Sequence, residues 1–353
     1  MKFTNSSRLS AFSSHKSELT VDRQVAMGRE RLHASLAFFS SLLGSVQNRL
    51  ATSGGDVATE DRDLMIQAFD SVCRTMHEVC GIDSELPAIE KRALADEIAS
   101  QLKPAVSVSG VAGRMLNKPR GYAGDYLTID QMYANTPYGD DAIARLFDCF
   151  ILAAAPSCAV RNRRGLLQEI IEQTVQRRAG KTARVLSIAC GPAREVSDAF
   201  QNIANADRLQ VELLDVDEEA IESTGKRMIE EGLDEHVSMT RGNALRLRSM
   251  KHIGEQDLIY SIGLIDYFED KAVIRMLDQV HDKLAPGGRV VLGNFHQDNK
   301  WKVFMDHGLE WELIHRNEGD MHRLFRASKF GRGCTQIRYE ATGINLFAEC
   351  VRQ

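Results

Sequence analysis

Leu32, Leu36, Phe39, Leu43, Val46 and Leu50 fall three or four positions apart, so Val21 to Leu50 reads as one amphipathic helix. Ser53-Gly54-Gly55-Asp56 breaks the pattern. Thr59 then caps a second helix, with Glu60, Asp61 and Asp63 where the helix dipole favours acids. Its stripe is Met65, Phe69, Val72, Met76 and Val79, and Gly81 ends it. A third begins near Pro87, buries Ile89, Leu94, Ile98 and Leu102, and stops before Pro104. Asp141 to Ala154 turns Ile143, Phe147, Phe150 and Ile151 inward, and Leu166 to Arg178 forms a further helix after Arg161-Asn162-Arg163-Arg164. Residues 1–180 thus read as an all-helical region.

From Thr182 the pattern changes to alternating strands and helices, which implies a parallel sheet. Strands are predicted at Arg184–Ile188, Gln210–Asp215, Val237–Thr240, Asp257–Ser261 and Gly288–Asn294. A helix spans Lys271–Leu284 and closes at Pro286-Gly287-Gly288. Further strand candidates lie at Glu310–His315, Thr335–Glu340 and Ile344–Val351, the last two pairing antiparallel through Ala341-Thr342-Gly343. The expected division is a helical region, 1–180, followed by an α/β domain, 181–353.

Candidate chemistry concentrates in Val185-Leu186-Ser187-Ile188-Ala189-Cys190-Gly191-Pro192-Ala193-Arg194-Glu195. An apolar strand, a small-residue turn and a helix start, with Pro192 suited to its first turn, form the ligand corner of a doubly wound fold. The next strand ends in Asp215, about twenty residues on, where such folds hold a ribose. A dinucleotide pyrophosphate wants G-x-G-x-x-G. Here Ala189 and Ala193 replace glycines and Glu195 adds a negative charge, which suits a nucleoside without phosphates, such as S-adenosylmethionine (SAM). Cys190 reads as a small apolar turn residue.

Leu186 to Ala193 resembles the first motif of the class I SAM-dependent methyltransferases, with Ser187 where that family often has an acid. Leu284-Ala285-Pro286-Gly287-Gly288 is similar to the turn before that family's fifth strand. The resemblance implies a Rossmann-like sheet with an antiparallel last strand, preceded by a helical lid. It also implies that Ala189, Cys190, Gly191, Pro192 and Glu195 surround SAM, with Asp215 and Val216 at the ribose. Asn243 and Ala244 would meet the adenine, and Ser261, Ile262 and Gly263 the methionine part.

A finer resemblance, through Gly121-Tyr122-Ala123-Gly124-Asp125 and Asp266-Tyr267, is to a bacterial subgroup with an N-terminal helical region. It includes 3-hydroxy fatty acid methyl ester synthases and enzymes that cyclise SAM to azetidine-2-carboxylate. Either a connector or a lid loop fits Asn117 to Tyr126, since aromatic faces can hold a sulfonium as they do other cations. Tyr122, Asp125, Tyr126 and Arg161 would then face the ligand, and Tyr122, Asp266, Tyr267 and His296 are the candidates for catalysis. Methyl transfer to a small carboxylate or other secondary-metabolism acceptor, cyclisation of SAM as the substrate itself, and a non-catalytic SAM-binding interaction module all remain open.

Composition narrows these options. A net charge of −5 provides no global attraction to nucleic acid. No apolar run approaches a membrane span. The partner expected of a SAM-using enzyme is a small-molecule substrate, and a homodimer stays open. Seven scattered cysteines without a C-x-x-C pair fit a reduced cytoplasmic protein, and the histidines show no metal-ligand spacing. Met1 to Leu19 reads as a frayed terminus.

Overall fold

The first helix is longer than its apolar stripe. In the computed structural model, which describes residues 6–53 and 55–353, it runs Ser6–Ser53. Residues 1–5 of the expected frayed stretch lie outside the described residues. Leu32, Leu36, Phe39 and Val46 are buried, and helices Thr59–Cys80 and Ala88–Val106 follow. Ala58, not Thr59, occupies the cap of the second, without a side-chain bond. The third passes through Pro104 and ends two residues later. Ile89 is exposed, because it stands five positions before Leu94 and so falls off the stripe.

These helices belong to one of two units, which takes in the chain up to Pro119, Pro137–Ala154 and Lys300–Trp311. Its centre is aromatic: Phe69 stacks on Phe150 at 5.1 Å and meets Phe304 edge-on at 5.2 Å. Asp148, fully buried, accepts hydrogen bonds from Ser109 Oγ (2.6 Å) and the backbone N–H groups of Val111 (3.0 Å), Tyr138 (2.8 Å) and Gly139 (2.8 Å). That satisfies an otherwise costly buried charge.

The second unit comprises Arg120–Thr136, Ala155–Asn299 and Glu312–Gln353. Its strands are β1 Ala183–Ile188, β2 Leu209–Asp215, β3 Val237–Arg241, β4 Gln256–Ile262, β5 Leu284–Phe295, β6 Gln336–Tyr339 and β7 Asn345–Val351. They form one sheet in the order β3-β2-β1-β4-β5-β7-β6, with β1 to β5 parallel and β7 antiparallel to both neighbours. The reversal of order beside β1 makes the crevice at the carboxyl ends of β1, β2 and β4 a ligand site. This is the mixed sheet and antiparallel close expected from the period change at Thr182.

Three expectations require correction. Glu310–His315 is not a strand: Glu310 adopts φ +51° and Trp311 N–H turns back to the Met305 carbonyl at 2.8 Å, leaving only a bridge between His296 and Arg316. The helix placed at Leu166 begins at Ala155 and runs to Arg177, so the arginine patch lies within it. The division does not fall at residue 180. Leu167, Ile170, Ile171 and Val175 of that helix share a buried cluster with Val185 and Val211 of the sheet, and Arg120–Thr136 joins the same unit.

Candidate functional site

The corner after β1 bends through three left-handed residues, Ala189 (φ 55°), Gly191 (φ 50°) and Ala193 (φ 42°). A glycine-rich path is therefore followed, with alanine at two of its positions. Cys190 N–H bonds the Leu214 carbonyl at 3.2 Å, tying the turn to the end of β2. Burial pushes the Cys190 thiol well up, which leaves it a poor nucleophile. The helix Arg194–Asn202 starts directly after Ala193.

Asp215, 7% exposed, ends β2. Its Oδ2 accepts from Gly191 N–H at 2.9 Å and its Oδ1 from Asp217 N–H at 3.0 Å. Burial raises its carboxyl above the usual range, and these backbone donors oppose that rise. The carboxylate keeps acceptor capacity beyond these backbone bonds. Val216, next along, is 63% exposed, and an apolar side chain left open beside this carboxylate offers a face to a flat ring. Asp217 caps Glu218–Glu230 through Glu219 N–H and Ala220 N–H.

Arg120 fixes the Gly-Tyr-Ala-Gly-Asp segment at this corner. Its Nη1 lies 3.1 Å from each Asp217 oxygen, its Nη2 pairs with Glu219, and its guanidinium sits 4.8 Å from the centre of the Tyr126 ring. Tyr126 Cβ in turn lies within van der Waals reach of a methyl group built on Gly191. Tyr122 meets Tyr267 edge to face at 6.1 Å. Burial, then the charges of Asp215, Asp217 and Asp125, push the Tyr122 phenol well up, which keeps it protonated. Asp125 is fully buried and its carboxylate caps the helix Tyr126–Ala134 through Thr128 N–H at 2.9 Å.

Beyond β4, Ser261 donates to the Ile188 carbonyl at 3.0 Å and Gly263 takes φ +87°. Asp266 is 2% exposed; its Oδ1 accepts from Phe295 N–H at 2.8 Å, and burial raises its carboxyl to about 6. Tyr267 remains 37% exposed. Glu195, buried, accepts from Tyr260 Oη at 2.9 Å, and burial raises its carboxyl also. Asn243 Oδ1 is the N-cap acceptor for Leu245 N–H at 2.8 Å and keeps a second lone pair; Ala244 beside it is buried.

His296 follows Phe295 at the end of β5. Its Nδ1 accepts from Asp298 N–H at 3.3 Å, its Nε2 lies 3.5 Å from a Glu318 oxygen, and Tyr339 packs edge-on at 5.7 Å. These contacts hold the ring among neighbours of its own.

Arg161 lies in the helix Ala155–Arg177. It reaches the Met132 carbonyl at 3.4 Å and Cys158 Sγ at 3.2 Å. Arg163, in the same patch, reaches the turn after β4. It is 7% exposed, bonds Tyr133 Oη through Nε at 2.9 Å, and brings Nη1 to 3.4 Å from a methyl group built on Gly263. Pro156 was the available signal: it marks the first turn of Ala155–Arg177, and from there Arg163, Leu167, Ile170 and Thr174 fall on one buried face.

Sheet order, reversed last strand and carboxylate-ended β2 together define the fold of the class I SAM-dependent methyltransferases. A family model described as "Putative methyltransferase" matches residues 74–347, and the chain belongs to that family. It is 28% identical over 241 residues to the uncharacterized protein YnbC of Escherichia coli (strain K12), an alignment covering 64% of this chain. This chain spans about 40% of the length of that curated relative. The fold is similar to that of a protein from Bordetella parapertussis described as a possible exported protein, with TM-score 0.56 and 18% identity, covering 82% of this chain and 96% of the other. Among the described residues, no single helix is long and apolar enough to cross a membrane.

Proposed function

We propose that the protein is a SAM-dependent methyltransferase acting on a small molecule, in the cytoplasm, on a carboxylate or other secondary-metabolism acceptor. The observation that carries the reading is Asp215, held by Gly191 N–H and Asp217 N–H with acceptor capacity left for two ribose hydroxyls. The residues fit the cofactor. Alanine stands where a pyrophosphate would need bare backbone, and Val216 is open beside the ribose position. When bound, SAM supplies a methyl group activated by its sulfonium.

The chain contributes position and desolvation. Tyr122 and Tyr267 present aromatic edges and faces to a cation, and Arg120 pins their loop beside Asp215. Arg120–Thr136 acts as a lid in this reading, part of the helical lid expected over residues 1–180. A carboxylate acceptor needs no base, which agrees with a Tyr122 phenol held protonated.

Asp266 favours a second reading. A buried carboxylate raised to about 6 can take the proton from an ammonium near neutral pH, as cyclisation of SAM to azetidine-2-carboxylate and methylthioadenosine requires. The deciding experiment incubates purified protein with SAM alone, then with SAM and panels of carboxylic acids, amines and phenols. S-adenosylhomocysteine formed only with an acceptor supports methyl transfer. Methylthioadenosine with a matching cyclic amino acid from SAM alone replaces it by the cyclase, and binding without any product leaves an interaction module.

A further inference from the structure

Arg316 is a buried arginine, 2% exposed, whose guanidinium donors are all taken. Nη1 donates to the Ile265 carbonyl at 2.8 Å and to Asn294 Oδ1 at 2.9 Å, and Nη2 donates to the Phe268 carbonyl at 2.6 Å. Nε and the remaining Nη2 proton go to Asp270 Oδ1, at 3.2 and 3.0 Å. The two carbonyls belong to the residues that flank Asp266 and Tyr267 on either side. One planar fork therefore spans the short helical turn Ile265–Tyr267 and fixes both of its ends.

Other contacts converge on the same turn. Asp266 is tied through its carboxylate to Phe295 N–H and through its carbonyl to Ile314 N–H, each at 2.8 Å. Asn294, besides accepting from Arg316, donates to the Phe295 and Ile314 carbonyls at 2.8 and 2.9 Å. Packing alone does not call for a buried guanidinium, because an apolar side chain of similar volume fills space without the desolvation cost. A fully satisfied polar network adds a single fixed geometry. Here the geometry is that of a turn whose outer residue, Tyr267, stays 37% exposed and meets Tyr122 edge to face at 6.1 Å.

We infer that Arg316 is a positioning residue for the Tyr122–Tyr267 aromatic pair, acting through the backbone of the turn that carries Tyr267. This rests on the cofactor reading above, in which the pair faces a sulfonium. Attraction between a cation and a ring requires the ring to stay within about 6 Å of the charge. A turn released from its fork would let the half-exposed Tyr267 ring swing out of that range. The loss should then fall on SAM, which carries the sulfonium. S-adenosylhomocysteine has the same nucleoside and amino acid but a neutral sulfur, and should be spared.

The ratio of SAM affinity to S-adenosylhomocysteine affinity, measured by titration calorimetry, tests this. Tyr267→Leu should lower the ratio about two- to fivefold, one cation–aromatic contact being lost. Arg316→Gln should lower it by the same factor and leave S-adenosylhomocysteine affinity unchanged. Arg316→Lys should behave like Arg316→Gln, because lysine keeps the charge but lacks the fork. Combining Arg316→Gln with Tyr267→Leu should cost nothing further, since both changes act on one ring. In wild-type protein the amides of Tyr267 and Phe268 should exchange with solvent about as slowly as those of β4, although the Tyr267 side chain is open. Rapid exchange at those amides overturns the inference even if both Arg316 variants fail to fold. So does an unchanged ratio in Tyr267→Leu, a folded Arg316 variant that keeps the wild-type ratio, or additive losses in the double variant. Wild-type protein that binds neither ligand overturns the cofactor reading and the inference with it.

Discussion

Arg120 Nη1 lies 3.1 Å from both carboxylate oxygens of Asp217, the residue that also caps the helix after β2. Both side chains are largely buried, at 15% and 13% exposure, so the pair is shielded from the screening that weakens surface ion pairs. The Gly121–Asp125 loop is therefore anchored from its amino end onto the element that carries Asp215. Arg120→Ala should destabilise the protein by about 1–3 kcal/mol, since it strands a partly buried carboxylate and uncovers the Tyr126 ring. Hydrogen exchange of the amides from 120 to 126 should speed up far more than exchange in β1. Equal change in both regions would mean that Arg120 supports the whole unit and not the loop.

Asp215→Ala should weaken S-adenosylhomocysteine binding by about 1–3 kcal/mol through loss of charge-assisted bonds to the ribose. The same change leaves Gly191 N–H and Asp217 N–H without acceptors, so urea unfolding should report a stability loss too. Asp215→Asn separates the two effects. It keeps an acceptor for one amide and should recover stability more fully than affinity. Full affinity in a folded alanine variant removes Asp215 from the site.

The corner after β1 gives a stability prediction of opposite sign. Ala189 holds φ 55° and is only partly buried, whereas Ala193 holds φ 42° and is completely buried. A left-handed alanine is strained by about 1–2 kcal/mol, and glycine returns about 0.4–1 kcal/mol of that through the freer unfolded chain. Ala189→Gly should therefore stabilise by about 0.5–1 kcal/mol in denaturant melts. Ala193→Gly also loses buried methyl contacts and should come out near neutral. Destabilisation by Ala189→Gly would show that its methyl packs better than its exposure suggests.

Much of this was legible in the chain. Alternation of apolar runs with amphipathic stretches located β1 to β5, because a parallel sheet buried on both faces leaves that signature. Asp215 stood out since a strand ending in a carboxylate has few structural excuses once Asp217 supplies the cap. The arginine patch was legible, but its orientation was not. Which of Arg161, Asn162, Arg163 and Arg164 turns inward depends on where the helix begins, and a helix begun at Ala155 sends Arg163 in and pairs Arg164 with Asp198. Glu310–His315 misled because its alternation is real, but Trp311 N–H is taken by the Met305 carbonyl and Ile314 N–H by that of Asp266. No strand edge remains to pair.

Asp266 supplies a pH signature. Burial raises its carboxyl to about 6 in the folded protein, against an ordinary value of 3.8. The folded state thus holds a proton that the unfolded chain lacks between pH 4 and 6. Linkage then makes this contribution fully present below the unfolded value and lost as pH rises through the folded one. Relative to Asp266→Asn, wild-type stability should increase by roughly 2–3 kcal/mol as pH falls from 7 to 4. Urea titrations of both proteins at several pH values measure the difference, in which the shifts of Glu195 and Asp215 cancel. A flat difference would place the proton elsewhere.

The path of the backbone carries a consequence of its own. Arg120–Thr136 belongs to the sheet-containing unit, yet its two ends continue into segments of the helical unit, Met1–Pro119 before it and Pro137–Ala154 after it. The units are thus interleaved along the chain and are not beads joined by one linker, so no single cut yields both intact. A fragment starting at residue 181 would lose Arg120, Tyr122 and Arg163 together, and would bare the apolar surface that Leu167, Ile170 and Ile171 cover. Any shuffling of this sheet onto another helical partner would have to carry two separate stretches of its own upstream sequence, a constraint that ties the ancestry of the two units to each other.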